Sequence, residues 1–468
     1  MMNWLRRQLD CQYMLSSSAI KGSILPTKSI YRHTIDIAWP SAAESLLINL
    51  VNSIDTIMVG TISSAAIAAV GITTQPKFLL LAAILSLNFG VTAVIARRTG
   101  QKDQDGANRC LHQSLFVSCV LSAALSMLGF VFAHPILRFA GAGMDIIEDA
   151  VAYFRINMIG FMVMSAGLTI NAALKGAGDT RISMRTNIVA NLVNLVLNYL
   201  LIGGHFGFPA WGVRGAALAT ITGQLVAFFM SLRSVRRKNA FLTLSLRGKW
   251  LPDWNTMSSV SKISSSAFIE QLFTRLGFFG YSKAVAGLGT IAFATHQICM
   301  NVFNLSFGIS DGLCTAVGTL VGQSLGEKRP DLAEIYVKTS KVIMFTIAVG
   351  LCLTFSLGRY PILRLFTDDA EIIRAGSSIM IVLAATCIFQ TMNKVYMGCL
   401  RGSGDAKYIA VTAIVSIGFI RPFAAWFLCY PAGLGLIGAW FSLLMDQCTR
   451  ITFTGLRFKS GKWKTIRI

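Results

Sequence analysis

Charge is scarce in this 468-residue sequence: Asp, Glu, Lys and Arg make up 13% of it, about half the share of a water-soluble domain. With 54% apolar residues and a mean hydropathy of +0.61, there is more apolar surface than a globular core can hide. The length-based expectation of about three soluble domains therefore gives way to a polytopic membrane protein. Acid is the scarcer sign, with 21 Asp and Glu against 42 Lys and Arg. Such an excess can serve nucleic acid, but basic loops on one face of a membrane account for it, and no nucleic-acid partner is expected. The ten cysteines form no CxxC pair and no Cys/His cluster, which excludes a disulfide framework and a zinc site. No G-x-x-x-x-G-K-[ST] occurs, so the chain has no nucleotide engine of its own, and no cofactor is expected. The amino end, MMNWLRRQLDCQYMLSS, lacks a continuous apolar core and a cleavage site, so no cleaved signal peptide is read there.

What the sequence does have is twelve apolar segments, near 34–59, 66–96, 110–133, 147–174, 184–204, 212–233, 258–284, 290–322, 334–358, 371–399, 407–430 and 433–455. Each is long enough to cross about 30 Å of hydrocarbon as a helix. The longest connector, RSVRRKNAFLTLSLRGKW (233–250), divides them into two sets of six. The organisation expected is a tail over 1–33, a six-helix lobe over 34–233, a linker over 234–257, a second six-helix lobe over 258–455 and a basic tail over 456–468. With the amino terminus inside, the cytoplasmic segments collect 31 of the 42 Lys and Arg, so both termini are assigned to the cytoplasmic side of the inner membrane.

The two halves are related. At an offset of 226 residues NAALKGAGDT (171–180) aligns with MGCLRGSGDA (397–406), Glu44 falls on Glu270 and Gly100 on Gly326. Six spans per half is an even number, so both halves enter the membrane from the same side. The fold class expected is therefore all-α integral membrane, two pseudo-symmetric six-helix bundles around a central cavity.

Ionisable and amide groups inside apolar spans are costly, and their default reading is functional. Asp55 ends the first span and Glu44 precedes it by eleven residues, one helix face but about 16 Å apart. Pro40 removes a backbone hydrogen bond and makes a bend point. Asn187, Asn191, Asn194 and Asn198 form one stripe on the fifth span. Interhelical hydrogen bonding is the competing explanation, favoured for Asn187. The offset places Asp55 on Tyr281, Asn194 on Ile420 and Asn198 on Ala424, so the polar cluster exists in one half only. That asymmetry points to a small-cation site. Oxygen donors would suit Na⁺, and a desolvated carboxylate would suit a proton. In the second half Glu270, Arg275, Asp311, Lys394, Arg421 and Asp446 divide between ion pairing and cargo contact, Glu270 standing out because its repeat partner is also an acid. Lys77 and Arg155 read as side chains reaching to the interface. GISDG (308–312) fits a serine-nucleophile pattern with His296 elsewhere, but it lies within an apolar helix, where small residues serve close packing, so no enzyme is expected. KGAGDT and RGSGDA follow helices rather than strands and read as helix C-caps.

Taken together, the paired LKGAGDT and LRGSGDA turns, DTIMVG after the first span, FATHQI (293–298), GQSLGEKR (322–329) and GVRGAALAT (212–220) make residues 34–455 resemble the multidrug and toxic-compound extrusion (MATE) transporters. The resemblance implies cation-coupled export by alternating access; amphipathic organic molecules are the cargo expected, and a monomer the working unit expected. It implies a cation site of Asp55, Asn194, Asn198 and Thr220, with Asn198 where many members carry a second acid. It implies a carboxy-lobe acid at Glu270, and it places Asn393 where some members have a tenth-helix acid. Pro40 matches a bending first-helix proline. Glu44, Glu270, Asn393 and Asp446 are thus candidates for cargo or a second coupling site. No metal is expected other than Na⁺ at Asp55. A lipid-linked saccharide flippase of the same superfamily is the alternative, faintly favoured by Lys394, Arg275 and Arg421.

Overall fold

The computed structural model describes residues 10–15, 20–60, 62–237, 241–245, 250–251 and 253–466, without the side chains of 52, 53, 56, 57, 64 and 67. The structure is 86% helix, with no strand among the described residues. Each apolar segment lies in a long helical stretch: α1 (Thr27–Gly60), α2 (Ser64–Gly100), α3 (Gln104–Val131), α4 (Ile147–Ala177), α5 (Thr180–Gly203), α6 (Gly212–Val235), α7 (Trp254–Ala286), α8 (Thr290–Gly326), α9 (Pro330–Leu357), α10 (Ala370–Ser403), α11 (Ala406–Cys429) and α12 (Gly435–Lys459). Among the described residues nine are long and apolar enough to cross a membrane unaided. The remaining three, α1, α7 and α12, carry Glu44 and Asp55, Glu270 and Arg275, and Asp446 and Arg450. Their acids Glu44, Asp55, Glu270 and Asp446 are each met by a side chain of another helix, which is how a less apolar helix can sit at membrane depth.

The internal repeat is visible in the packing. Within the first half α4 packs on α2, α3 and α6, and α5 on α6. Within the second half α10 packs on α8, α9 and α12, and α11 on α12. The short helices Ala133–Phe139 and Arg359–Arg364 stand at the same offset. Gly178 and Gly404 end α4 and α10 with φ of 95° and 85°. The N–H of Asp179 returns to the Leu174 carbonyl, and that of Asp405 to Leu400, so both glycine-rich turns are helix C-caps as expected. Gly212 and Gly435 open α6 and α12 with φ of 52° and 53°, so the offset shortens to 223 residues after the preceding loop.

The chain divides into two compact units, residues Ala43–Ser265 and residues Met1–Ala42 with Ser266–Ile468. This differs from a simple cut at the linker. The division falls inside α1, just after Pro40, and again inside α7. Ser264 donates to the Leu87 carbonyl of α2 at 3.4 Å, which holds the start of α7 to the first half. Nor do the described parts of the expected amino-terminal tail stand apart. Cys11 and Ile30 are fully buried in a cluster with Tyr336 and Trp463, and Lys338 donates to the Met14 carbonyl at 2.8 Å. The segment lies against α9, where the Lys21 N–H donates to Asp331 Oδ2 at 3.1 Å. The linker is likewise pinned, with Thr243 bonded to Asn108 and Ser245 to His112; residues 238–240, 246–249 and 252 lie outside the described residues.

Close helix approach depends on small residues. A Cβ on Gly402 of α10 would lie 2.1 Å from the Gly318 carbonyl of α8, and one on Gly398 would lie 2.5 Å from that of Cys314. The equivalent Gly176 of α4 sits against the Thr92 carbonyl of α2. Backbones this close gain dispersion contacts that a larger side chain forbids. In α11 residues Ile414–Ile420 form a π-helix just before Pro422. The proline ring displaces the carbonyl of residue i−4 and supplies no N–H, so the helix widens there. Replacing Gly402 with Val is expected to lower the melting temperature in detergent by about 5 °C or more. Gly455→Ala, whose nearest neighbour would be Tyr396 at 3.7 Å, should leave it unchanged.

Candidate functional site

Three helices of the first half converge on the acid near the end of α1. Asn198 of α5 donates to Asp55 Oδ1 at 2.7 Å. Asn194, one turn earlier, lies beside Thr220 of α6, its Nδ2 at 3.5 Å from the threonine Oγ1. With its amide turned so that nitrogen faces the acid, Asn194 donates to both Asp55 oxygens at 3.2 and 3.1 Å and accepts the Thr220 backbone N–H at 3.2 Å. The turned amide is the consistent orientation for a carboxylate with no ion in front of it, because otherwise two oxygens face each other. Asn194 and Asn198 are buried. Asn198 Oδ1 is a buried acceptor with no hydrogen-bond partner. The site therefore has a carboxylate, two amides that can present oxygen by rotation, and a hydroxyl that donates to the Ala216 carbonyl at 2.9 Å. These are hard oxygen donors suited to a small cation, and they would also stabilise a protonated carboxyl.

Glu44 takes a different place. Lys175 donates to its Oε1 at 2.8 Å, Asn187 to the same atom at 2.8 Å, and Ser183 to Oε2 at 3.2 Å. Asn187 is thus an interhelical partner, the reading favoured from its position. Glu270 is met by Arg401 at 2.7 Å. Lys175 and Arg401 are repeat equivalents, as are Glu44 and Glu270, so one ion pair stands at corresponding positions in both halves. Both basic residues lie in the KGAGDT and RGSGDA motifs; combining the matched bases with the matched acids would have predicted the two pairs.

The remaining candidates are also engaged. Asn393 accepts from Thr454 at 3.0 Å, which joins α10 to α12 and does not bring it to Glu270. Asp446 lies between Arg421, at 2.5 Å, and Arg450, at 3.2 Å. Arg421 also stacks on Phe278, 4.5 Å from the ring centroid, in the widened part of α11. Lys394 pairs with Asp311. Five of the six acids and bases of the second half that sequence left open between pairing and cargo contact, Glu270, Asp311, Lys394, Arg421 and Asp446, are therefore ion-paired. Ser310 donates to the Ser306 carbonyl at 2.6 Å, and His296 lies on the same helix about 21 Å away, so no nucleophile–base pair forms there. Arg155 caps the Phe130 carbonyl at 3.2 Å, as a side chain reaching past a helix end would. Lys77 does not reach for the interface: it donates to Asn157 Oδ1 of α4 at 3.2 Å. An amide acceptor within reach holds the ammonium inside the bundle. Sequence alone showed the lysine but no acceptor for it.

The MatE family model matches residues 40–200 and again 267–427, once in each half. The chain belongs to the MatE family. Its MatE-type sequence is 29% identical over 440 residues to a probable multidrug resistance protein NorM of Thermotoga maritima, covering 93% of each chain. It is 26% identical over 411 residues to the multidrug resistance protein MdtK of Yersinia pestis, covering 86% of this chain and 88% of that one. The fold is similar to that of a multidrug resistance MATE family transporter of the MOP superfamily solved in an outward-facing conformation, with a TM-score of 0.86, 20% identity, and 92% and 97% of the two chains covered. The chain is thus a multi-pass membrane protein of a transporter family, with a two-lobe, all-helical fold.

The repeated ion pair makes a stability prediction for this MatE protein. Glu270→Gln takes the carboxylate at 2.7 Å away from Arg401 and should cost about 3 kcal/mol. Glu270→Gln with Arg401→Gln should recover most of that loss. Melting in detergent measures both, and a double variant no more stable than the single one would remove the pair.

Proposed function

We propose that this protein is an antiporter that expels amphipathic, often cationic, organic molecules from the cytoplasm in exchange for H⁺ or Na⁺. The observation that carries the reading is the convergence of Asp55, Asn194, Asn198 and Thr220 in the first half, at positions whose equivalents in the second half are Tyr281, Ile420 and Ala424 for the first three. A need of the architecture alone would recur in both repeats. The names of the curated relatives, multidrug resistance proteins, supply the cargo class, and a chain rich in Met and Phe can repack around varied apolar cargo.

In the proposed cycle a cation entering from outside neutralises Asp55. The amides then turn oxygen toward the ion, or the carboxyl takes the proton. Either event breaks or weakens the hydrogen bonds that Asn194 and Asn198 give to the free carboxylate, which changes what holds the far end of α1. Pro40, which interrupts the hydrogen-bond ladder of that helix, is the hinge at which α1 responds. One charge moving down 100 mV yields about 2.3 kcal/mol, enough for roughly a 50-fold cargo gradient. Both termini lie on the cytoplasmic side in this reading, which follows from the distribution of Lys and Arg.

Asp55→Asn should abolish ion-driven dye efflux from reconstituted vesicles while the protein reaches the membrane at the wild-type level. Proton and Na⁺ gradients imposed separately identify the coupling ion. Wild-type efflux by that variant would overturn the reading.

A further inference from the structure

Lys77 is a cation in the middle of an apolar span that the proposed cycle does not use. Among the described residues no carboxylate lies within 4 Å of its ammonium. Its hydrogen bond goes to the Oδ1 of buried Asn157 at 3.2 Å, and Asn157 Nδ2 is spent on the Tyr153 carbonyl at 2.9 Å. A neutral amide does not neutralise an ammonium in hydrocarbon, so the charge must be balanced from further off. Of the acids Glu44 and Asp55 in α1, Glu44 is taken by Lys175, while Asp55 is met by the amide of Asn198. From α5 and α6 the neutral Asn194, Asn198 and Thr220 meet the acid or one another.

The packing agrees. Val59, one turn beyond Asp55 on α1, and Ala66 at the start of α2 are buried in one cluster with Tyr153 of α4. Tyr153 stands one turn before Asn157, the residue that holds Lys77.

The repeat supplies an independent control. The second-half equivalents of Asp55, Lys77, Tyr153 and Asn157 are Tyr281, Phe303, Ile379 and Leu383, and these four pack in one hydrophobic cluster. Acid and base are thus lost together, and the amide that holds the base is lost with them. Two unrelated charges would have no reason to disappear as a set.

We propose that Lys77 is the tethered counter-cation of Asp55, a positioning and affinity-setting residue that balances the carboxylate when the transported ion has left and competes with that ion when it returns. With Asn198 rather than a second acid beside Asp55, the count is one to one: the vacant site is neutral and the filled site carries a single positive charge. The lobe then never exposes an unbalanced negative charge to hydrocarbon during its return. This proposal rests on the assignment of Asp55 as the coupling acid.

Two measurements on the full chain test it. In reconstituted vesicles Lys77→Met should lower the half-saturating concentration of the driving ion, Na⁺ or H⁺, by about tenfold or more, since a repelling charge has gone. Lys77→Arg should stay close to wild type. In detergent Asp55→Asn strands the lysine and should lower the melting temperature, and adding Lys77→Met to it should raise the melting temperature again. This second measurement needs no transport and stands if Lys77→Met is inactive. Unchanged half-saturation in Lys77→Met together with additive melting effects would overturn the pairing, even where Asp55→Asn abolishes efflux. Efflux surviving Asp55→Asn with non-additive melting would instead keep the pairing and remove the coupling role of the acid.

Discussion

Hydrocarbon offers no partner to a charge, so every carboxylate at membrane depth must be met by the chain itself. The Glu44–Lys175 and Glu270–Arg401 pairs are the plainest expression of that constraint. Each joins a helix that enters a lobe, α1 or α7, to the turn that closes its central helix, α4 or α10. That turn is shaped by a glycine with positive φ, and its helix is drawn against α2 or α8 through glycines that admit a neighbouring backbone. The pair, the cap and the close approach belong to one local arrangement, which explains why they recur together.

Upon this symmetric frame the halves diverge in what they place at equivalent depths. The second half fills the positions with Tyr281, Phe303, Ile379 and Leu383 and packs them shut. The first half keeps an acid, two amides, a hydroxyl and a lysine. An apolar cluster is cheap to bury and has one stable arrangement. A carboxylate held by rotatable amides has two, one with the amide nitrogens toward it and one with the oxygens toward an ion. A side chain that gains a partner from solution and loses it again gives a lobe a reason to change shape; a hydrophobic plug does not. The second half's own charges, Arg421, Asp446 and Arg450, are instead tied to each other where the π-helix before Pro422 turns Arg421 onto Phe278.

Much of the architecture was legible in the amino-acid order because it follows from one-dimensional properties. Apolar runs of sufficient length, basic connectors and a motif repeated at a fixed offset are independent of how side chains meet, and every expected segment lies in a helix. Asp55, Asn194 and Asn198 were legible for a related reason: a polar stripe at helical spacing is written in the sequence, and its absence from the other repeat is too. What could not be read was which charge answers which. Glu44 and Asp55 share a helix face and a chemistry, yet one is saturated by Lys175, Ser183 and Asn187 while the other has two amides and a buried, unpartnered oxygen beside it.

The sequence by itself determined a membrane-spanning, duplicated, all-helical chain with a one-sided set of polar residues, because hydropathy, charge distribution and repetition are summed along the chain. Only the tertiary structure decided that Glu44, Glu270 and Asp446 are neutralised within their own halves, that the amino-terminal segment packs on α9, and that Lys77 turns inward to Asn157. Those outcomes depend on distances of about 3 Å between residues more than a hundred positions apart in several cases, and a pairing at that range is settled by where the helices stand rather than by the order in which they are written.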